Sequence, residues 1–388
     1  MRTQVGIVGA GPAGLMLSHL LHRAGIASII VENRSRAYCE ARVRAGLIEQ
    51  WAADMLIETG VGARMQRESM VHDGVYLNFG GGLHHIDFRK LVGKRVTIYG
   101  QQEVVKDLIA QRLADGGSIL FEVADVALAG IDGKTPKIAF AHQGRVLEID
   151  CDFVAGCDGF HGISRPSIPA GVLTEYEREY PFGWLGILAQ AHPVADELIY
   201  SYHPHGFALF SMRSPSIVRY YIQCAPDEDI ARWPDKKIWD ELEARLGGVR
   251  VPERGPVLEK GVTPMRSFVA EPMQYDRLYL AGDAAHIVPP TGAKGMNLAF
   301  ADVHLLSRGF AEFYRSGRTA ALDQYSQTAL RRVWKAQRFS WWMTRLFHLF
   351  PEETAFDRKR QLSELEYLVS SEAAKTSLAE NYAGLPVE

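Results

Sequence analysis

The 388-residue sequence predicts a mixed α/β (α+β) protein: an α/β domain interrupted by a mostly β region and closed by C-terminal helices. Three observations point there. The chain opens with a short apolar run, a glycine-rich turn, an amphipathic run and a second apolar run ending in an acid. Two later apolar runs each end in an Asp beside a Gly, at Asp158-Gly159 and Gly282-Asp283. Roughly from Tyr176 to Arg266 the pattern changes to aromatic-rich alternation. One ordinary domain is too few for this length, and two or three fit. The expected organisation is a cofactor domain over 1–175, a β-rich substrate domain over 176–275, and a second cofactor segment with a C-terminal helical interface region over 276–388.

Gln4 to Val8 reads as a buried strand, followed by Gly9-Ala10-Gly11-Pro12-Ala13-Gly14. A helical pattern runs from Leu15 to Arg23, and Gly25 ends it. Ala27 to Val31 is a second strand, and Glu32 follows. Strand, glycine turn, helix, strand and acid make the first βαβ unit of a dinucleotide-binding, Rossmann-like domain. Gly9 permits the tight turn, Gly11 lets the backbone approach a pyrophosphate, and Gly14 lets helix and strand pack closely, with free N–H groups facing the anion. Glu32 is placed to accept from an adenosine ribose with a free 2'-OH, such as that of FAD or NAD. Glu103 to Ala114 reads as a helix. Ser118–Val123, Lys137–His142, Arg145–Ile149 and Cys151–Ala155 read as strands, the middle two forming a hairpin around Gln143-Gly144. In the β region, Gly206–Met212 and Val218–Gln223 read as antiparallel strands. Leu278–Ala281 is a further buried strand, and the rest is helical. Both later Asp residues stand at strand ends, where open α/β sheets bind ligands.

Composition narrows the function classes. The chain is 47% hydrophobic and 23% charged, as soluble globular proteins are. Its 43 Lys+Arg and 46 Asp+Glu nearly cancel, which argues against nucleic acid as a partner. Cys39, Cys151, Cys157 and Cys224 form no CxxC and have no zinc-like His spacing, so no metal site is expected. No apolar run approaches the ~20 residues of a membrane span. The first residues run straight into a strand pattern, without the zones of a signal peptide. The expectation is a soluble protein of a reducing cytoplasm.

Longer motifs surround these features. They are Arg42-Val43-Arg44-Ala45-Gly46, the stretch Gly156 to Arg165, Tyr180 to Gly186, Gly282 to Asn297, Phe339 to Thr344, and Ala379 to Pro386. With them the chain resembles, from end to end, the class A flavoprotein aromatic hydroxylases. The resemblance implies non-covalent FAD, NADH or NADPH as co-substrate, and O2. It further implies hydroxylation of 4-hydroxybenzoate to 3,4-dihydroxybenzoate through a flavin C4a-hydroperoxide, and a homodimer to which Trp341-Trp342 contribute. For the cofactor it implies Gly9, Gly11, Ala13, Gly14, Glu32, Arg42, Arg44, Gln101, Asp158, Asp283, Met296 and Asn297. Ala13 departs from the Ser common in the family. For the substrate carboxylate it implies Ser211, Arg213 and Tyr221; the planar fork of Arg suits that group. Ser211 and Arg213, two apart on a strand, would share a face. For the phenol it implies Tyr200 and the Pro290 carbonyl, with Tyr382 next in a proton relay and His72 at its far end. A phenol titrates near ~10, so such a site must help remove its proton. For the nicotinamide coenzyme it implies Asn33, Arg34, Tyr38, Arg42, Arg44, His161 and Arg266. Two alternatives stay open: a hydroxylase of this fold for another phenolic acid such as 3-hydroxybenzoate, and a non-catalytic partner-binding protein on this fold.

Overall fold

Four-residue apolar runs bounded by polar residues can bury both faces, and the first strand, Val5–Val8, is buried at every position. It sits within a six-stranded sheet of order Gln274–Tyr275, Leu278–Leu280, Phe153–Gly156, Val5–Val8, Ser28–Val31 and Ser118–Leu120. All pairings are parallel except that of the short edge strand. The structure, a computed structural model, describes residues 1–44 and 46–387, so Ala45 of the Arg42–Gly46 motif lies outside the described residues. The strand order reverses direction at Val5–Val8, and a ligand crevice opens at such a switch point. Asp158 and Asp283 both follow strands of this sheet, as the spacing predicted.

Local chemistry explains the first turn. Gly9 has φ +104°, and a Cβ there would lie 2.4 Å from the Cys157 carbonyl oxygen. Pro12 stands at the start of the Pro12–Arg23 helix, where its missing N–H costs nothing. A Cβ on Gly14 would lie 2.0 Å from the Gly9 carbonyl oxygen, whereas one on Gly11 would meet no protein atom within 4 Å. Two of these glycines serve packing and one faces open space.

The second sheet has eight strands, ordered His286–Ile287, Val257–Glu271, Thr174–Gln190, Ile217–Cys224, Ala208–Ser214, Ile199–Ser201, Gly74–Phe79 and Gly82–Asp87. Its last two strands come from the segment expected to serve the cofactor domain and join through parallel pairing with Ile199–Ser201. Inside the stretch read as β, Asp235–Leu246 forms an α-helix. Ile238, Leu242 and Leu246 recur every four residues, and with Trp239 they bury against the back of the sheet. The neighbouring alternation obscured this period. The strand expected through Val123 stops at Leu120, and Glu122 turns the chain with φ +60°.

A small three-stranded sheet is ordered Leu47–Glu49, Val96–Ile98 and Met70–His72. Glu49 and His72 both pair with Val96, so all three side chains share one face. All three are at most 1% exposed. Helices Gly295–Ser316, Tyr325–Phe347, Ala355–Ser370 and Glu372–Ala383 complete the chain.

Gly14→Ala, which drives a methyl into backbone, should lower apoprotein stability by about 2 kcal/mol, in the range of core overpacking. Gly11→Ala should leave apoprotein stability near the parent's. Urea unfolding of both apoproteins checks the contrast.

Candidate active site

The crevice above the parallel sheet is built for a phosphate-bearing dinucleotide. The Pro12–Arg23 helix opens onto it with no side-chain cap on its first N–H groups, which leaves them for an anion. Glu32 is held in place because its two carboxylate oxygens accept from the backbone N–H of Ala10 at 2.7 Å and of Arg34 at 2.8 Å. Asp283 is exposed to solvent but crowded by protein, and this crowding raises its pKa while His286, Arg44 and Arg42 pull it down. Burial lowers the pKa of Arg44, and neighbouring Arg42 adds to this, while Asp283, Tyr38 and Tyr221 oppose it. Arg44 therefore stands where the cofactor crevice meets the substrate sheet. Gln101 begins the Gln101–Ala114 helix.

Two expected residues carry structural bonds of their own. Asp158 turns one oxygen to the Ser164 N–H and hydroxyl, both at 2.9 Å, and bracing its loop; its Oδ1 has no protein partner. The Asn297 side chain accepts from Glu49 N at 2.9 Å and donates to the carbonyls of Leu47 and Ala293. The Gly295–Ser316 helix has no side-chain cap, so the backbone N–H groups at its start, including those of Met296 and Asn297, are open among the described residues. Ala13 is buried, and its methyl lies 3.4 Å from where a Gly282 Cβ would stand, so tight packing suits the small residue here. An open helix N-terminus, a braced ribose acid and an exposed strand-end Asp flanked by arginines fit FAD.

Beyond this crevice lies the aromatic pocket. Tyr200 and Tyr382 are buried, with their hydroxyl oxygens 2.7 Å apart. Tyr200 also donates to the Thr291 carbonyl at 3.0 Å. A carbonyl can only accept, so the Tyr200 proton points to Thr291 and Tyr382 donates to Tyr200. Burial raises both phenol pKa values; the Tyr382 bond lowers that of Tyr200 and raises its own. The Pro290 carbonyl already accepts from Ala293 N at 2.9 Å and keeps a second lone pair. His72 is buried with neither ring nitrogen paired to protein, and burial pushes its pKa down to about 4.

Arg213 is half-buried, and burial is the main cause of its lowered pKa. Tyr221 beside it favours the charged form, while Arg219 opposes it. Its guanidinium donates to the Met212 carbonyl at 3.0 Å and more weakly to that of Arg44 at 3.5 Å, and among the described residues no carboxylate is paired with it. The expectation that Ser211 and Arg213 share a face by simple alternation needs correction, because the pairing register shifts between Met212 and Ser214. Arg213 is the extra residue of a β-bulge, a device that re-aims a side chain. The Ser211 hydroxyl donates to the Arg219 carbonyl rather than outward.

Sequence reading missed the polar hub behind this pocket. Glu49 is 1% exposed and accepts from Lys294 Nζ at 2.6 Å, Arg332 at 2.8 Å and Trp51 Nε1 at 2.5 Å. Lys294, itself buried, also donates to the Tyr382 carbonyl at 2.9 Å. Burial lowers the Lys294 pKa and Glu49 raises it. Glu49 and Lys294 are 245 residues apart, so no local pattern shows the pair. Lys294 inside the Gly282–Asn297 motif was the one available signal.

The coenzyme candidates lie on the outer face. Arg34 covers the Tyr38 ring at 5.2 Å, Arg36 is paired with Glu40 at 2.7 Å, and Asn33 is exposed. Arg266 covers Phe160 at 4.8 Å, next to exposed His161, and pairs with Glu177 at 3.2 Å and Glu179 at 3.7 Å. The structure therefore divides the expected residues between an inner pocket and this outer cluster.

A family model described as an FAD binding domain matches residues 2–340, and the chain belongs to that family of flavoproteins. It is an FAD-dependent monooxygenase of the class A hydroxylases. It is similar to p-hydroxybenzoate hydroxylase of Acinetobacter baylyi, with 48% identity over 391 residues that cover all of this chain and 96% of that one. Kynurenine 3-monooxygenase of Salinispora tropica is 26% identical over 356 residues, covering 79% of this chain and 72% of that one. Among solved structures, p-nitrophenol 4-monooxygenase from Pseudomonas putida superposes with a TM-score of 0.83 at 17% identity over the whole of both chains. Aklavinone-11 hydroxylase, solved with FAD and aklavinone, superposes with a TM-score of 0.73 at 20% identity over 89% of this chain and 69% of that one. These two show the fold.

Glu49→Ala would leave Lys294 and Arg332 buried without their carboxylate. The cost should be about 3–5 kcal/mol, read as a lower urea midpoint with an unchanged slope.

Proposed function

We propose that the protein hydroxylates 4-hydroxybenzoate to 3,4-dihydroxybenzoate with NAD(P)H and O2. The observation that carries this reading is Arg213: a half-buried guanidinium without a carboxylate partner among the described residues, linked to the buried tyrosine pair through Tyr221, which acts on both Arg213 and Tyr200. The activity named for the relative from Acinetobacter baylyi, p-hydroxybenzoate hydroxylase, supports the substrate. Bound FAD supplies the activated oxygen; the protein binds, orients, removes the phenol proton and excludes water.

Arg213 and Tyr221 hold the carboxylate end, and the ring extends toward Tyr200. On binding, the Tyr200 hydroxyl leaves the Thr291 carbonyl and donates to the phenol oxygen, stabilising its anion. The phenol passes its proton to the Tyr200 oxygen as Tyr200 passes its own to Tyr382 and Tyr382 passes one on toward His72, which its low pKa keeps neutral and which hands the proton to solvent. The chain is left with Tyr382 donating to Tyr200 and Tyr200 to the phenolate. The Pro290 carbonyl takes the hydroxyl while that proton is still present. Arg42, Arg44, Gln101, Glu32, Asp158 and Asp283 hold the FAD, with the N-termini of the Pro12–Arg23 and Gly295–Ser316 helices supplying backbone donors. The four cysteines are free thiols, which supports a reducing cytoplasm, and no described helix is long and apolar enough to cross a membrane. A homodimer would bury the exposed Trp341 and Phe356 of the C-terminal helices.

Arg213→Ala should weaken 4-hydroxybenzoate binding about tenfold to a hundredfold, the value of a charge-assisted bond at ~1.5–3 kcal/mol. Flavin absorbance titration measures it, and unchanged binding moves the carboxylate site elsewhere. A panel including 3-hydroxybenzoate tests ring position. Tyr200→Phe should bind substrate and oxidise coenzyme but yield little product, with hydrogen peroxide in its place. Product per coenzyme consumed decides this.

For the coenzyme, Arg36 is already engaged by Glu40 and Asn33 offers no charge, so the outer helix is poorly equipped for a 2'-phosphate. NADH should serve at least as well as NADPH, with His161 and Arg266 needed for both. Side-by-side kcat/KM values check it. A preference for NADPH above about a hundredfold, roughly 2.7 kcal/mol, would show that Arg34 and Arg36 form the phosphate site.

A further inference from the structure

The last helix, Glu372–Ala383, delivers Tyr382 to the buried tyrosine pair within two residues of its end. Such an end leaves backbone carbonyls unpaired, and its dipole favours cations there. One cation meets that need, and two more hold the carbonyls just past the helix end. Lys294 Nζ donates to the Tyr382 carbonyl at 2.9 Å, and Lys94 Nζ to the Gly384 carbonyl at 2.5 Å. One Arg332 nitrogen donates to the carbonyls of Leu385 at 2.8 Å and Pro386 at 3.0 Å, while the other holds Glu49 at 2.8 Å. The chain is pressed close: Gly384 has φ +111°, and a Cβ there would stand 2.5 Å from a Glu49 carboxylate oxygen.

These cations come from separate parts of the fold. Lys94 precedes the central strand of the small sheet, Lys294 caps the Gly295–Ser316 helix, and Arg332 projects from the middle of Tyr325–Phe347, over the Trp51 ring at 5.1 Å. Glu49 joins two of them to the strand whose backbone holds Asn297. The position of the Tyr382 hydroxyl is thereby referred to the same frame that holds the flavin-facing helix. The Tyr200–Tyr382 bond is 2.7 Å long, so a displacement of about 1 Å takes it beyond hydrogen-bonding distance.

We infer that Arg332 and Lys94 are positioning residues of the proton relay, acting on Tyr382 by clamping the backbone carbonyls that follow it. The inference rests on the proposed relay for its functional half and on the structure alone for the clamp.

The test uses the FAD-loaded full-length enzyme with Arg332→Gln, Arg332→Lys and Lys94→Met. Deuterium exchange over residues 379–387 reads the clamp without any turnover, and it should quicken in Arg332→Gln and Lys94→Met. With 4-hydroxybenzoate, product per coenzyme should fall several-fold, and the titration of the bound phenol should move to higher pH. Substrate affinity and the rate of coenzyme oxidation should stay near the parent's. Arg332→Lys, which keeps the charge but not the fork, should recover part of the coupling. Unchanged exchange would overturn the clamp. Faster exchange with unchanged coupling and phenol titration would overturn its role in the relay. If Arg332→Gln fails to fold, Lys94→Met, whose side chain is only half-buried, carries both readouts. A parent enzyme that makes no 3,4-dihydroxybenzoate would refute the proposed substrate, while exchange would still decide the clamp.

Discussion

The carboxylate of Glu49 is the constraint on which the rest of the active region depends. It is almost wholly buried and has three donors: an ammonium, a guanidinium and an indole N–H. A buried charge is tolerable only when paired and hydrogen-bonded. Each element that supplies a donor is therefore held to the small sheet. The start of the Gly295–Ser316 helix, the middle of the Tyr325–Phe347 helix and the end of the last helix all converge on one strand. Replacing such a cluster by apolar residues is often neutral for stability, so its presence argues for register rather than strength. The register it sets is that between the Gly295–Ser316 helix and the tyrosine pair.

Around this hub the protein leaves some groups with no internal partner. Among the described residues, the Pro12–Arg23 helix has no side-chain cap, Arg213 has no carboxylate, and His72 has no partner on either ring nitrogen. Packed interiors rarely keep such groups idle. Under the proposed function these groups meet a pyrophosphate, a substrate carboxylate and a migrating proton. Polar pairing is thus dense at the Glu49 hub and sparse at the first helix N-terminus, Arg213 and His72.

Tyr200 belongs to both categories. Its proton points to the Thr291 carbonyl while its oxygen accepts from Tyr382, so one rotation of a hydroxyl redirects the proton toward a ligand. Nothing heavier need move. The same economy holds at Arg213, where a bulge rather than a loop aims the side chain. The eight-stranded sheet stays continuous beneath it, and site precision comes from strand geometry.

What the sequence by itself determined is what short range can encode. The Gly9–Gly14 turn, Glu32, the strand-end Asp residues and the Gln143-Gly144 hairpin all depend on neighbours a few residues away, and each stands where its spacing placed it. The carboxylate arginine and the tyrosine pair were legible only through resemblance, since a lone Arg or Tyr on a strand has many ordinary reasons to be there. Tertiary structure alone decided the rest. The Asp235–Leu246 helix lay hidden in alternating surroundings, and the bulge at Arg213 broke a periodicity argument that assumed a regular strand. Glu49 reaches Lys294 across 245 residues and Arg332 across 283, and nothing local distinguishes it from a surface acid. Burial converts that ordinary carboxylate into an organising charge, because removing water makes every unpaired partner costly. Burial of this kind is a property of the assembled fold.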